Sequence, residues 1–158
     1  MSTQDSVVAV VSAPPGSAAR TVLIDARPET VFAFLADPRR HLVIDGSGTV
    51  RGTLEAPPRL SLGATFGMRM VNPVPYKVTN TVVEFDENRR IAWRHSGGHT
   101  WRYVLEPEAD GVRVTETFDA TTAKAPWMLR LMGAAKKNAV SITKTLTRLK
   151  TMAESPAN

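Results

Sequence analysis

The sequence predicts an α+β domain in which a curved antiparallel sheet of about seven strands wraps around one long C-terminal helix. Between residues 49 and 120, short runs of alternating apolar and polar residues are separated by turn residues, which is typical of a meander. No alternation of strands with helices appears in this region, so the sheet should be antiparallel. Beyond residue 126 the apolar residues recur at steps of three and four, the spacing of an amphipathic helix.

The first strand is predicted over residues 21–24, where β-branched and other apolar residues are adjacent. Pro28 favours the first turn of a helix that ends before Pro38. A second short helical turn is predicted over residues 41–44, ending at Gly46. Two short helices therefore follow the first strand.

The remaining strands are separated by Pro, Gly, Asn and Asp residues that favour turns. They are predicted at 49–54, 64–71, 76–85, 90–96, 99–106 and 111–120. The final helix is predicted to begin near Pro126 and to run without interruption for about 28 residues, or about 42 Å. Its apolar stripe consists of Met132, Ala135, Ala139, Ile142, Leu146, Leu149 and Ala153.

A length of 158 residues with 42% hydrophobic residues is enough for one domain with its own core. We expect a mobile leader over 1–18, one ligand-binding domain over 19–153 and a tail over 154–158. Whether residues 7–11 add an edge strand is left open. The chain has no cysteine and no long apolar segment, so disulfides are excluded, no membrane-spanning segment is expected and a cytoplasmic location is predicted.

The net charge of +5 arises in the C-terminal segment. Seven basic residues and no acidic residue lie between Lys124 and Lys150, whereas the rest of the chain has 13 basic and 15 acidic residues. The simplest interpretation is a solvated helix face, with an anionic membrane or an acidic partner as the alternative. We expect no nucleic-acid binding, because neither an aromatic stacking platform nor a helix-turn-helix pattern is visible.

Three segments carry a resemblance to a known family: residues 28–37 (PETVFAFLAD), 101–107 (WRYVLEP) and 112–119 (VRVTETFD). With the meander and the terminal helix, they resemble the SRPBCC or START-like superfamily and its polyketide cyclase/dehydratase branch, over residues 19–152. The resemblance implies a helix-grip fold with a cavity between sheet and helix. It also implies binding or cyclisation of lipids, hormones or polyketides, but it supplies no catalytic signature.

Alternation along each strand predicts which side chains face the helix. Large apolar and aromatic residues share that face with a few polar ones, which predicts an apolar pocket for a hydrophobic small molecule. For each residue alone, ordinary core packing is the alternative. The predicted ligand-binding residues are Phe66, Met68, Met70, Tyr76, Asn80, Trp93, Trp101, Tyr103, Glu116 and Phe118.

Glu116 is the first candidate for acid–base chemistry, because it falls in phase with apolar residues and burial would raise its pKa. Alternatively, a bulge turns it outward, or Arg94 or Arg102 pairs with it. The other catalytic candidates are His99, as a proton carrier, and Tyr103, as a hydrogen-bond donor to an enolate oxygen.

The histidines do not predict a metal site. His95 and His99 flank a turn and could lie near each other at the rim of the pocket. No third ligand at a recognised spacing accompanies them, so solvent-exposed histidines are expected there. His41 and Asp45 lie one helical turn apart and are interpreted as a surface pair, with a lid over the cavity mouth as the alternative.

Three functions follow, none requiring a cofactor. The first is binding of a lipid- or polyketide-like molecule without chemistry. The second is a cyclase, dehydratase or isomerase that uses Glu116 or His99. The third is a protein- or membrane-surface module that uses the basic helix. The sequence does not distinguish a monomer from a homodimer.

Overall fold

A computed structural model describes residues 7–156, which form an open antiparallel sheet wrapped around the C-terminal helix. The strands are β1 (Ala9–Val10), β2 (Ala18–Ile24), β3 (Val50–Thr53), β4 (Thr65–Val71), β5 (Pro75–Asp86), β6 (Arg90–His95), β7 (Thr100–Glu108) and β8 (Gly111–Asp119). The helices are α1 (Pro28–Ala36), α2 (His41–Ile44), α3 (Pro126–Leu131) and α4 (Ala134–Glu154), with a 3-10 turn over Pro38–Arg40. The predicted α+β class is confirmed.

The strand order is β1-β2-β8-β7-β6-β5-β4-β3. Strands β3 to β8 form the predicted meander, and β2 returns to pair with β8, with Val22 opposite Val114. The two short helices lie between β2 and β3 along the chain, and both pack against α4. The concave face is then covered by α4, which packs against β2 and β8.

The eighth strand is β1, which answers the question that the sequence left open. Ala9 and Val10 pair with Thr21 and Arg20 at the edge of the sheet. Part of the predicted leader over 1–18 is therefore paired with the domain. Residues 1–6 of the predicted leader and residues 157–158 of the predicted tail lie outside the described residues.

The prediction of one uninterrupted helix from Pro126 is wrong, because α3 ends at Leu131 and α4 begins at Ala134. Gly133 has a φ of 66°, a left-handed conformation that glycine adopts without steric cost and that ends a helix. Spacing of apolar residues alone does not reveal such a break. The 21 residues of α4 span roughly 32 Å at 1.5 Å per residue.

The core lies between the concave face and the helices. Helix α1 contributes the buried Val31, Phe32 and Leu35, whose spacing of three and four places them on one side. From α4, the buried apolar residues are Ile142, Leu146, Leu149 and Ala153. Among residues 7–156, no helix is both long and apolar enough to cross a membrane.

Candidate functional site

A cavity of about 590 Å³ lies between the concave face of the sheet and α4. This volume is in the range of pockets that enclose small organic ligands. Every residue predicted to bind ligand lines it: Phe66, Met68, Met70, Tyr76, Asn80, Trp93, Trp101, Tyr103, Glu116 and Phe118. The alternation of side chains along five strands brings them together.

One wall of the cavity is aromatic. Trp93 lies between Phe66 and Tyr103, with ring centroids 5.6 Å from each. Trp101 packs on Phe118 at 5.2 Å across the β7–β8 pair. Large rings in contact with one another form a rigid apolar surface, which suits a ligand with rings or a long hydrocarbon chain.

Glu116 and Tyr103 form a buried polar pair in this wall. They lie opposite each other on β8 and β7, and the Tyr103 hydroxyl donates a hydrogen bond of 2.7 Å to Glu116 Oε1. Glu116 is only 3% exposed, and its Oε2 has no hydrogen-bond partner among residues 7–156. Burial raises the pKa of Glu116 to about 8, the negative charge of Asp45 adds to this shift, and the hydrogen bond from Tyr103 opposes it.

A carboxyl group with this pKa is largely protonated at neutral pH. Because Oε1 accepts from Tyr103, the proton belongs on Oε2, where it is available to a ligand. The ion pairs considered from the sequence do not form. Arg94 is exposed and Arg102 donates to Glu84 and Asp119, while Arg20, opposite Glu116 on β2, donates to the Ala19 carbonyl oxygen.

His95 and His99 lie next to each other in the cavity lining, as predicted, but they are half-buried and not exposed as expected. Their rings stack with centroids 4.2 Å apart, and His99 packs on Phe118 at 5.3 Å. The Gly97 N–H donates to His95 Nδ1 at 2.8 Å. Burial and the adjacent His95 lower the pKa of His99 to about 4, and burial lowers the pKa of His95, so both rings are neutral at pH 7. Residues 7–156 contain no group of three side chains arranged for metal binding.

The interpretation of His41 and Asp45 as a surface pair is wrong, because both residues line the cavity. The His41 ring is buried, stacks on Trp93 at 4.8 Å, and donates from Nε2 to the Leu35 carbonyl oxygen at 2.8 Å. Burial lowers the pKa of His41, which keeps the ring neutral. Its apolar neighbours Leu42 and Val43 are exposed instead.

Comparison with known proteins identifies the family. The chain matches the family described as "Polyketide cyclase / dehydrase and lipid transport" over residues 15–154. The protein belongs to this family. The resemblance of the sequence to the START-like superfamily is thereby confirmed.

This family member is also similar to individual proteins, in sequence to one and in structure to others. The uncharacterized protein Rv0088 of Mycobacterium tuberculosis is 40% identical over 148 residues, which cover 90% of this chain. The chain spans 66% of the length of that relative. A solution structure of a protein from Arthrobacter aurescens has a TM-score of 0.73 at 15% identity and covers 96% of this chain and 94% of its own. The crystal structure of protein CV1439 from Chromobacterium violaceum has a TM-score of 0.71 at 16% identity and covers 90% of this chain and 100% of its own. These two structures support the fold.

The sequence analysis of this polyketide cyclase/dehydrase family member missed the polar side of the cavity. That side is formed by Asp45, Ser47, Thr49, Lys137, Asn138, Ser141 and Thr145. Residues 45–49 of this side follow α2, and the others lie on α4. Gly46 connects the two segments, because its N–H donates to Thr145 Oγ1 at 2.9 Å. A Cβ on Gly46 would lie 2.5 Å from the Thr145 nitrogen, so only glycine allows this approach. Nothing in the spacing of the sequence indicates a contact between residues so distant along the chain.

Proposed function

We propose that the protein binds a hydrophobic small molecule, lipid- or polyketide-like, in the cavity between the sheet and α4. The observation that carries the proposal is the 590 Å³ cavity, with an aromatic wall that contains a buried carboxyl oxygen lacking a partner. Apolar burial would supply most of the affinity, at about 25 cal/mol per Å² of apolar surface removed from water.

Glu116 supplies the polar contact of the proposed site. A buried oxygen without a partner costs free energy that a ligand group can recover by hydrogen bonding. Since the protonated Oε2 is a donor at neutral pH, the ligand group that fits is an acceptor, such as a carbonyl or hydroxyl oxygen. The ligand that we propose is therefore an apolar molecule with one oxygen placed beside Glu116.

The test is native mass spectrometry of freshly purified protein, compared with its mass after denaturing extraction. We expect a small apolar molecule to travel with the wild-type protein and to be lost from Trp101→Ala. An apolar library that includes long-chain fatty acids and aromatic ketones should raise the melting temperature of any ligand-free fraction.

Two helix variants control for general effects on stability. Asn138→Trp places a large ring in the cavity from α4 and should abolish binding, whereas Thr147→Trp makes the same change on the exposed side of that helix and should leave binding intact. If no compound in the library stabilises the protein, or if both tryptophan variants bind equally, the proposed binding function is wrong.

The second candidate is a dehydratase- or isomerase-type reaction, which the unpartnered oxygen and the raised pKa of Glu116 favour. In a dehydration, Glu116 would give the Oε2 proton to a hydroxyl oxygen of the ligand as its C–O bond breaks and water leaves. The neutral ring of His99, which also lines the cavity, would take the proton from the adjacent carbon as the C=C bond forms. Turnover of the co-purified molecule should then fall as pH rises through about 8 and disappear in Glu116→Gln, while binding persists. If the wild-type protein binds the molecule but does not convert it, the enzymatic candidate is wrong and ligand binding is the function that remains.

A further inference from the structure

Helix α3 has no buried residue, although most of its side chains are apolar. Trp127 is 67% exposed and Leu131 81%, and these residues lie one turn apart on one side of the helix. Met128 and Met132 form a second such pair, at 44% and 56% exposed. These four residues form an exposed apolar face, defined here as the α3 face.

The α3 face is continuous with the cavity. Leu129, from the inner side of α3, and Met132, at the end of the α3 face, both line the cavity. Whatever covers the α3 face therefore also meets the rim of the site in which the proposed ligand binds.

Basic residues flank the α3 face along the chain. Lys124 precedes it, Arg130 lies within α3, and Lys136 and Lys137 follow in the first turn of α4. From residue 124 to residue 153 the sequence contains no aspartate or glutamate. The occupant of this face must combine an apolar surface with negative charge.

A second copy of the chain fits poorly, because a twofold interface places the same patch on both sides and would bring these cations against their own counterparts. An anionic lipid bilayer meets both requirements. Its acyl region accepts Trp, Leu and Met side chains without a matching shape, and its headgroups pair with the basic residues.

We propose that the α3 face docks on the surface of an anionic lipid bilayer, with the rim of the cavity directed at the membrane. This inference goes beyond ligand binding in the cavity, and it rests on the exposed side chains of α3, not on the aromatic wall of the cavity. Each basic residue near an anionic surface strengthens partitioning roughly five-fold.

The experiment is sedimentation of the full chain with phosphatidylcholine vesicles, with and without phosphatidylglycerol. We expect binding only when phosphatidylglycerol is present, and weaker binding as salt is raised. Leu131→Glu should reduce partitioning about ten-fold or more, and Lys136→Glu should also reduce it. The matched control is Leu62→Glu, since Leu62 is 66% exposed in the loop between β3 and β4.

Melting curves of the three variants should match that of the wild type, because each residue is exposed. Equal partitioning of Leu131→Glu and Leu62→Glu, or equal binding to vesicles with and without phosphatidylglycerol, would overturn the proposal. So would light scattering that shows a wild-type dimer dissociated by Leu131→Glu, because a second copy would then cover the face. Ligand binding in the cavity is measured separately, so failure here does not affect the proposed binding function.

Discussion

Two adjacent residues of β7, Arg102 and Tyr103, point to opposite faces of the sheet. The carboxyl groups that contact Arg102 are charged, whereas the one that contacts Tyr103 is neutral. On the convex face, Arg102 donates to Glu84 at 2.8 Å and to Asp119 at 3.4 Å. Burial alone would raise the pKa of Glu84, but hydrogen bonds from Arg102 and Arg90 outweigh it and lower the pKa. On the concave face, the neutral Tyr103 hydroxyl leaves burial dominant, and the pKa of Glu116 rises to about 8.

The difference shows that the partner decides whether a carboxyl group on this sheet is charged. A cation keeps it ionised even where it is mostly shielded from water, whereas a single neutral donor does not offset full burial. The protein thus has ion pairs on its outer face and a neutral acid inside its cavity, separated by the thickness of one sheet.

The largest expected effect comes from Glu116→Gln at alkaline pH. Between pH 4.5 and about 8 the folded protein retains the Glu116 proton and the unfolded chain releases it, so stability falls as pH rises. At about 1.4 kcal/mol per pKa unit, the neutral glutamine should increase the free energy of unfolding by roughly 2–4 kcal/mol at about pH 9.

Urea unfolding at several pH values measures this gain, which should nearly vanish at about pH 4, where both states of the wild type are largely protonated. Glu84→Gln is the matched control on the convex face, and it should destabilise the protein at neutral pH with no alkaline gain. Equal behaviour of the two variants would remove the distinction between the faces.

Tyr103→Phe is expected to have the next largest effect. It deletes the hydroxyl that donates to Glu116 and leaves both carboxyl oxygens buried without partners, at a cost of about 1–3 kcal/mol. Because the hydrogen bond from Tyr103 lowers the pKa of Glu116, its loss should raise that pKa further above 8. Carbon-13 NMR titration of the Glu116 carboxyl group measures the shift, and a fall in this pKa would contradict the assigned pairing.

Arg102→Gln should have the smallest effect, about 1 kcal/mol at neutral pH, since its partners are partly exposed and solvent screens the pair. Glu84 and Asp119 have lowered pKa values in the folded protein. Their stabilising contribution is therefore present above their ordinary pKa values and is lost as pH falls through the folded ones. Thermal melting of both proteins should converge in acid, whereas an equal deficit at low pH would show that Arg102 acts through packing alone.

The sequence by itself determined the fold class, the meander and the face on which the predicted ligand-binding residues lie. The reason is that side chains alternate strictly along a strand, so the period of two already separates Trp93, Tyr103 and Glu116 from Arg94 and Arg102. All ten predicted ligand-binding residues line the cavity for this reason. Their roles in binding stay predictions, which the experiments above test.

Only the tertiary structure decided which groups meet. The hydrogen bond from Tyr103 to Glu116 depends on the register between β7 and β8, and the contact of Gly46 with Thr145 joins segments 99 residues apart. The burial of His41 and the break between α3 and α4 at Gly133 were likewise missed. Local periodicity predicts which way a side chain points. Contacts between segments that are far apart along the chain depend on how the helices and strands pack, and a local sequence pattern does not specify that packing.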